Sequence, residues 1–195
     1  MRHLSSFVPA LLLAACSVVP QQSGAGHGDT PPPQQVQVSV HGGGVPLELH
    51  WFRNSAERRA LYTQIYAQAA GAVRALAQGH AANTWAVILD VDETILDNSE
   101  YQARLAVTGA QYSAATWSAW VSDRRAVALP GAVAFLHTVR DELHGRVVLV
   151  TNRNVADCAN TEANLHAQAL EYDAILCAPE GPGGRPVQDK NPRFA

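Results

Sequence analysis

Hydrophobic side chains recur at three- or four-residue spacing between residues 54 and 79, which predicts one long amphipathic helix. Asn54 is expected to cap its N-terminus, with Glu57 as a capping-box partner, and Gly79 is expected to end it. The apolar stripe of this helix is formed by Leu61, Ile65, Ala69, Val73 and Leu76.

Three continuous apolar runs further along have the length of a strand, at residues 85–89, 147–150 and 174–177. Runs without polar positions are typical of strands that are buried on both faces. Helical patterns lie between these runs, over residues 101–122, 130–143 and 155–169. Strands that alternate with helices predict an α/β fold with a parallel sheet, whose ligands bind beyond the carboxyl ends of the strands.

The N-terminal residues show a different pattern, which is typical of a targeting signal. A basic start precedes an apolar run over residues 7–15 that is too short to span a bilayer but suits a secretory signal. Residues 13–16, LAAC, resemble a bacterial lipobox, which implies removal of residues 1–15 and a lipid on Cys16. Because Ser17 rather than Asp follows, the resemblance also implies the outer membrane, with the protein facing the periplasm or the cell surface. An ordinary secretory signal with an incidental cysteine is the alternative.

Residues 16–44 are rich in Gln, Ser, Gly and Pro, and we predict that they form a flexible tether before a folded domain over residues 45–195. The chain has 195 residues and a formal net charge of −3, which argues against a nucleic-acid-binding protein, since such proteins carry a basic patch. The sequence leaves open whether Cys158 and Cys177 form a disulfide, which an oxidising compartment permits.

The first predicted strand is followed directly by the sequence DVDET, which begins at Asp90. The carboxylates of Asp90 and Asp92 lie so close at a strand end that each raises the cost of ionising the other, unless a cation or a proton relieves it. A solvated acidic loop is the alternative, but the preceding strand makes a chance occurrence of this pattern rare. The pattern therefore predicts a functional site.

This motif and its strand resemble the haloacid dehalogenase superfamily of phosphotransferases. The longer run LDVDETILDNSEYQ resembles the class C acid phosphatases, the outer-membrane lipoprotein 5′-nucleotidase branch. Further matching segments are NSAE from Asn54, TWSAW from Thr116, LPGAVAFL from Leu129 and VTNRN from Val150. The resemblance covers residues 47–194 and implies a Rossmannoid parallel sheet with helices on both faces and a small helical cap.

The resemblance also implies roles for individual residues. Asp90 would be the nucleophile that forms an aspartyl-phosphate, and Asp92 the general acid and base. The Asp90 carboxylate and the Asp92 backbone carbonyl would hold Mg²⁺. Thr151, Asn152 and Lys190 would bind the phosphate group.

Trp117 is implied by the same resemblance to stack on a nucleobase of the substrate. Packing in the core is the alternative for Trp117, and Trp120 is expected to be the core member of the pair. Arg153 is assigned no role, because it is equally suited to contact phosphate or to brace its loop.

The superfamily pattern has a fourth element, an acidic cluster after a further strand, and no such cluster precedes Ala195. We therefore expect the C-terminal part of the sheet and one magnesium ligand to be missing from this chain. The expected function is magnesium-dependent hydrolysis of phosphomonoesters such as nucleoside 5′-monophosphates, with membrane contact only through the lipid anchor. The alternatives are an impaired or non-catalytic lipoprotein with the same fold and a superfamily phosphatase with another substrate. The oligomeric state stays open, with a homodimer among the alternatives.

Overall fold

The computed structural model describes residues 44–193, which form α-helices and β-strands in alternation. Its helices are α1 (Leu47–Asn54), α2 (Ala56–Leu76), α3 (Ser99–Thr108), α4 (Ala114–Asp123), α5 (Ala132–His137) and α6 (Cys158–Ala167). Its strands are β1 (Ala86–Leu89), β2 (Leu96–Asp97), β3 (Val127–Ala128), β4 (Arg146–Asn154) and β5 (Ala174–Ala178). A π-helical turn, Thr138–Glu142, extends α5, and 3₁₀ turns cover Val155–Asp157, Pro182–Gly184 and Asn191–Arg193.

The predicted signal peptide, Cys16 and all but the last residue of the predicted tether lie outside the described residues. Within residues 44–193, no helix is both long and apolar enough to cross a bilayer.

The main sheet has the strand order β1-β4-β5, and both strand pairs are parallel. Helices lie on both sides of this sheet, so the predicted α/β architecture is confirmed. β4 is the central strand, and its Val147, Leu149 and Val150 are fully buried, as the continuous apolar run predicted.

The prediction that the first apolar run, which forms β1, is buried on both faces is wrong. Its residues alternate between exposed and half-buried, and 54% of Ile88 is exposed. Val87 and Leu89 on the other face pack against the core. In the part of the chain that the structure describes, β1 pairs only with β4 and is therefore an edge strand, covered on one face.

The predicted helix over residues 54–79 is α2, which runs from Ala56 to Leu76 and is preceded by a separate helix, α1. Asn54 is the last residue of α1, and the Ser55 hydroxyl caps α2 by accepting a hydrogen bond from the Arg58 N–H at 3.0 Å. Glu57 accepts a hydrogen bond from the Trp51 indole at 3.0 Å and so does not complete a capping box. The cap is one residue later than predicted, because the chain is extended at Ser55 and not at Asn54.

The helical region predicted over residues 101–122 is divided in two by Gly109, which ends α3 in the left-handed conformation with φ of 67°. A capping box between Ser113 and Thr116 then begins α4. α3 and α4 lie between β2 and β3, which pair as a small antiparallel sheet. They correspond to the predicted small helical cap.

Cys158 and Cys177 form a disulfide in the structure, with their Cα atoms 6.1 Å apart. This bridge joins the first residue of α6 to β5, and so it answers the question that the sequence left open.

Candidate active site

The predicted site residues lie at the carboxyl ends of two neighbouring strands. Asp90 follows β1 directly, and Thr151 and Asn152 lie in the C-terminal half of β4. Because β1 and β4 are parallel and Leu89 is in register with Leu149, the DVDET loop and these two residues emerge at the same edge of the sheet.

Asp90 forms an ion pair with Lys190, whose Nζ lies 2.8 Å from Asp90 Oδ2. The other carboxylate oxygen, Oδ1, accepts a hydrogen bond from the Val91 N–H at 2.7 Å. Both partners of the ion pair are partly exposed to solvent. The chain after β5 thus returns to the end of β1, and the predicted nucleophile and the predicted phosphate-binding lysine are adjacent.

Asp92 is held by Arg153 and Asn98. Arg153 Nη2 and Nε lie 2.7 Å and 3.0 Å from Asp92 Oδ1, and Asn98 Nδ2 donates to the same oxygen at 2.8 Å. Only 1% of Arg153 is exposed, so its charge is buried against the partly exposed Asp92 carboxylate. Because a buried guanidinium requires a counter-charge, this pair fixes the side chain of Asp92.

The same network extends to the buried Trp120, whose indole N–H donates to Asn98 Oδ1 at 2.8 Å. Only 2% of Trp120 is exposed, which confirms its predicted place in the core. The sequence analysis assigned no role to Asn98 or Arg153. The available signal for Arg153 was a charged residue shortly after the apolar run of residues 147–150, since such a residue is buried only with a partner.

Thr151 is fully buried, and its hydroxyl oxygen accepts a hydrogen bond from the Arg153 N–H at 3.1 Å. Asn152 is half-buried, and its side-chain oxygen accepts a hydrogen bond from Arg193 Nη2 at 2.8 Å. Its amide donates to Gln188 Oε1 at 3.1 Å. The guanidinium of Arg193 also donates to the Thr151 carbonyl. Arg193 thus links β4 with the C-terminal segment, which contains Lys190.

A cavity of about 550 Å³ opens beside these residues, and its walls include the DVDET loop, α4, the end of β4 and the residues that follow it. Six of its lining residues are Asp92, Trp117, Ser118, Asn152, Arg153 and Asp157. Asp90, Thr151 and Lys190 do not line it. The predicted residues thus form two groups, with Asp92, Asn152 and Trp117 at the cavity and the Asp90–Lys190 pair outside its lining.

Trp117 is half-buried in the wall of this cavity. Its ring packs edge-to-face on Tyr101 with centroids 5.1 Å apart, and the Arg153 guanidinium lies 5.5 Å from its ring centroid. Tyr112 also lines the cavity, with its ring centroid 6.3 Å from that of Trp117. Trp117 therefore contacts the core and the cavity at once.

Within residues 44–193, no three side chains of His, Cys, Asp or Glu are grouped so that they could hold a metal ion. The family resemblance implies that the Asp90 carboxylate and the Asp92 backbone carbonyl would be the oxygen ligands of a metal ion at this edge of the sheet. Two oxygen ligands of this type fit Mg²⁺, which commonly takes one or two carboxylates and completes its shell with water and substrate phosphate.

A family model described as HAD superfamily, subfamily IIIB (acid phosphatase) matches residues 36–194. The fold is also similar to the class C acid phosphatase from Bacillus anthracis, with 30% identity and a TM-score of 0.65. That alignment covers 76% of this chain and 61% of the solved chain. A second structure, of the class C acid phosphatase from Bacillus anthracis with tungstate bound, has a TM-score of 0.63 at the same identity and coverage. The chain thus spans 61% of the length of these relatives and belongs to subfamily IIIB of the HAD superfamily, the acid phosphatase family.

Proposed function

We propose that the protein hydrolyses phosphomonoesters, with nucleoside 5′-monophosphates as the substrate class and Asp90 as the nucleophile. The observation that carries this proposal is the ion pair between Asp90 and Lys190. Asp90 lies two residues before Asp92, which lines the cavity. Membership of the acid phosphatase family supports the reaction class. The binding of tungstate, a phosphate-like oxyanion, by a class C relative supports an anion site.

In the proposed reaction, an Asp90 oxygen attacks phosphorus, and the bond from phosphorus to the leaving-group oxygen breaks. Asp92, which enters the reaction protonated, transfers its proton to that oxygen, which leaves as an alcohol, and Asp92 becomes a carboxylate. Water then attacks the aspartyl-phosphate while Asp92 accepts a proton, and inorganic phosphate and free Asp90 result. Lys190 and Asn152 stabilise the negative charge on the phosphate oxygens, and the Thr151 hydroxyl donates to one of them.

The superfamily implies a divalent cation, and we propose Mg²⁺, held by the Asp90 carboxylate and the Asp92 carbonyl. When bound, the ion would offset negative charge on the phosphate group. The charge of Lys190, whose Nζ lies 2.8 Å from Asp90 Oδ2, offsets the negative charge of the Asp90 carboxylate. An anionic phosphate that approaches Asp90 is therefore repelled less than the two acidic residues of the motif alone would imply.

For the leaving group we propose a nucleoside, with its base stacked on Trp117. The exposed part of the Trp117 ring lies in the cavity wall, and Tyr112 adds a second aromatic ring to the same wall. Aromatic faces stabilise planar bases through stacking and apolar burial. The cavity volume of about 550 Å³ is in the range typical of small-molecule sites.

A non-catalytic nucleotide-binding lipoprotein is the second candidate. The observation that favours it is the lack, within residues 44–193, of a third acidic or imidazole side chain grouped with Asp90 and Asp92. Such a protein would bind a nucleoside monophosphate without magnesium-stimulated turnover.

Phosphate release from a nucleoside 5′-monophosphate and from p-nitrophenyl phosphate, with Mg²⁺ and with a chelator, tests the proposal. We expect Asp90→Asn to lower kcat by at least a thousandfold and Lys190→Ala to lower kcat/KM. Asp141→Asn makes the same change at an exposed position outside the site and should retain full activity. Release that is unchanged in Asp90→Asn would refute the assignment, and tight nucleotide binding without turnover in the unmodified chain would favour the second candidate.

We also propose that Cys16 carries a lipid and that the protein is anchored in the bacterial outer membrane. The lipobox-like sequence at residues 13–16 supports this. Incorporation of labelled palmitate in a bacterial host tests it, with Cys16→Ser as the control. Equal labelling of the two chains would exclude Cys16 as the attachment site.

A further inference from the structure

The charges in the cavity wall are not all matched by partners. Arg153 is paired with Asp92 at 2.7 Å, so the two charges offset each other. Glu93 directs one carboxylate oxygen to the Asn98 N–H at 3.0 Å and the other to the Asn98 amide at 3.4 Å. The remaining charged residue in the lining is Asp157, whose negative charge no basic side chain in the described residues offsets within ion-pair distance.

Asp157 is nine-tenths buried, and one of its carboxylate oxygens is free. Its Oδ1 accepts a hydrogen bond from the Ser118 hydroxyl at 2.6 Å. Its other oxygen, Oδ2, has no hydrogen-bond partner among residues 44–193 and keeps access to solvent. Because Oδ2 is open to solvent at the cavity wall, a ligand in the cavity can donate a hydrogen bond to it in place of water.

The side chain of Asp157 does not cap the helix that it precedes. Asp157 is the N-cap residue of α6, where an aspartate normally accepts a hydrogen bond from the first turn of the helix. Its side chain makes no such bond and instead reaches Ser118 on α4. The Asp157 carboxylate is thus oriented at the cavity wall by Ser118 of α4 and not by the first turn of α6.

Trp117 and Ser118 both line the cavity from α4, so Asp157, which is hydrogen-bonded to Ser118, lies at the wall where the proposed base would stack. A phosphate group at Asp90 would direct its leaving group into this cavity, because Asp92 lines it and Asp90 does not. A carboxylate on this side would accept a hydrogen bond from an N–H or O–H group of the leaving group and would repel a second anion there.

We therefore propose that Asp157 is a specificity-determining residue. It favours leaving groups that present an N–H or O–H donor next to Trp117 and disfavours leaving groups with an additional negative charge. This inference rests on the proposed function, since it assigns the cavity to the leaving group of a phosphomonoester. It divides the nucleotides into neutral bases, which the site accepts, and acidic bases, which it rejects.

Uridine 5′-monophosphate and orotidine 5′-monophosphate are a matched pair of probes, because they differ by one carboxylate on the base. We expect the unmodified chain to prefer the uridine compound at least tenfold in kcat/KM. Asp157→Asn, which removes the charge and keeps the shape, should reduce this preference at least fivefold. Ser118→Ala keeps the Asp157 charge but removes the hydrogen bond that orients it, so it should reduce the preference less than Asp157→Asn does, and Asp141→Asn should behave like the unmodified chain.

Binding gives a readout that does not require turnover. Dissociation constants of the same two nucleotides, measured by calorimetry on an Asp90→Asn chain with and without Asp157→Asn, should show the same change in preference. If Asp157→Asn leaves both preferences within twofold of the parent, the inference is wrong while the proposed phosphatase activity stands. If the unmodified chain releases no phosphate, the proposed activity is wrong and the ratio of dissociation constants alone decides the role of Asp157. If neither nucleotide binds, both are wrong.

Discussion

The Cys158–Cys177 disulfide is predicted to be the largest single covalent contribution to the stability of this domain. The bridge closes a loop with a sequence separation of 19 residues, which contains α6 and the turn before β5. In the unfolded chain the bridge keeps the two ends of this loop together, so it lowers the conformational entropy of the unfolded state. Its loss should therefore destabilise the fold even where no native contact changes.

The magnitude follows from the loop length. A closed loop of about 19 residues corresponds to a loss of unfolded-state entropy worth about 3 kcal/mol at 25 °C. For a domain of about 150 residues, this free energy corresponds to a fall in Tm of about 6 to 12 °C. Since either substitution alone opens the loop, Cys158→Ala and Cys177→Ala should each cost about as much as the double variant.

Urea denaturation followed by far-UV circular dichroism measures this difference. The oxidised chain should unfold with a free energy about 3 kcal/mol higher than the double variant or the reduced chain. Titration of the urea-unfolded protein should reveal two more thiols after reduction than before. A free-energy difference below about 1 kcal/mol, together with two bridged cysteines in the thiol titration, would refute the entropic argument.

Two further predictions concern buried positions. Burial raises the pKa of the Tyr66 hydroxyl to about 12, above its value of about 10 in the unfolded chain. Below about pH 10 the hydroxyl is neutral in both states, and its contribution to the free energy of unfolding is fully present. Above about pH 10 the unfolded state loses the proton first. The Tyr66 contribution to the free energy of unfolding should therefore fall by about 1.4 kcal/mol per pH unit up to about pH 12. Tyr66→Phe should remove the Tyr66 contribution and so lessen the fall in stability in alkaline urea titrations, and an equal slope in both proteins would contradict it. Separately, a Cβ added at Gly145 would overlap the Trp85 indole, so Gly145→Ala should lower the free energy of unfolding by about 1 to 3 kcal/mol. Gly71→Ala, in the open interior of α2, should raise it by about 0.5 to 1 kcal/mol, and equal effects of the two substitutions would refute the packing argument.

Local patterns in the sequence were sufficient for the architecture. The apolar runs at residues 85–89, 147–150 and 174–177 became β1, β4 and β5, because a continuous hydrophobic run of this length is stable mainly in a buried sheet. The burial of each strand did not follow from its own residues. Ile88 is as apolar as its neighbours, yet it is exposed, because burial depends on which elements cover a strand and not on its composition.

The DVDET motif could be found in the sequence because its residues are contiguous. Its partners could not be derived from periodicity, since Lys190 lies 100 positions after Asp90, and only the family resemblance suggested its role. Arg153 was noticed in the sequence without a role, and the structure pairs it with Asp92. The difference is physical, because a contact between distant residues depends on strand order and on the path of the connecting chain.

The sequence by itself determined the α/β class, the family resemblance, and the positions of Asp90 and Asp92 at the end of the first strand. These follow from the local hydrophobic pattern and from a short motif of contiguous residues. Tertiary structure alone decided that Cys158 bonds to Cys177 and that Asp157 points its carboxylate to Ser118 on α4. Such pairs form when packing brings separate elements within bonding distance, and no periodicity along the chain encodes that approach.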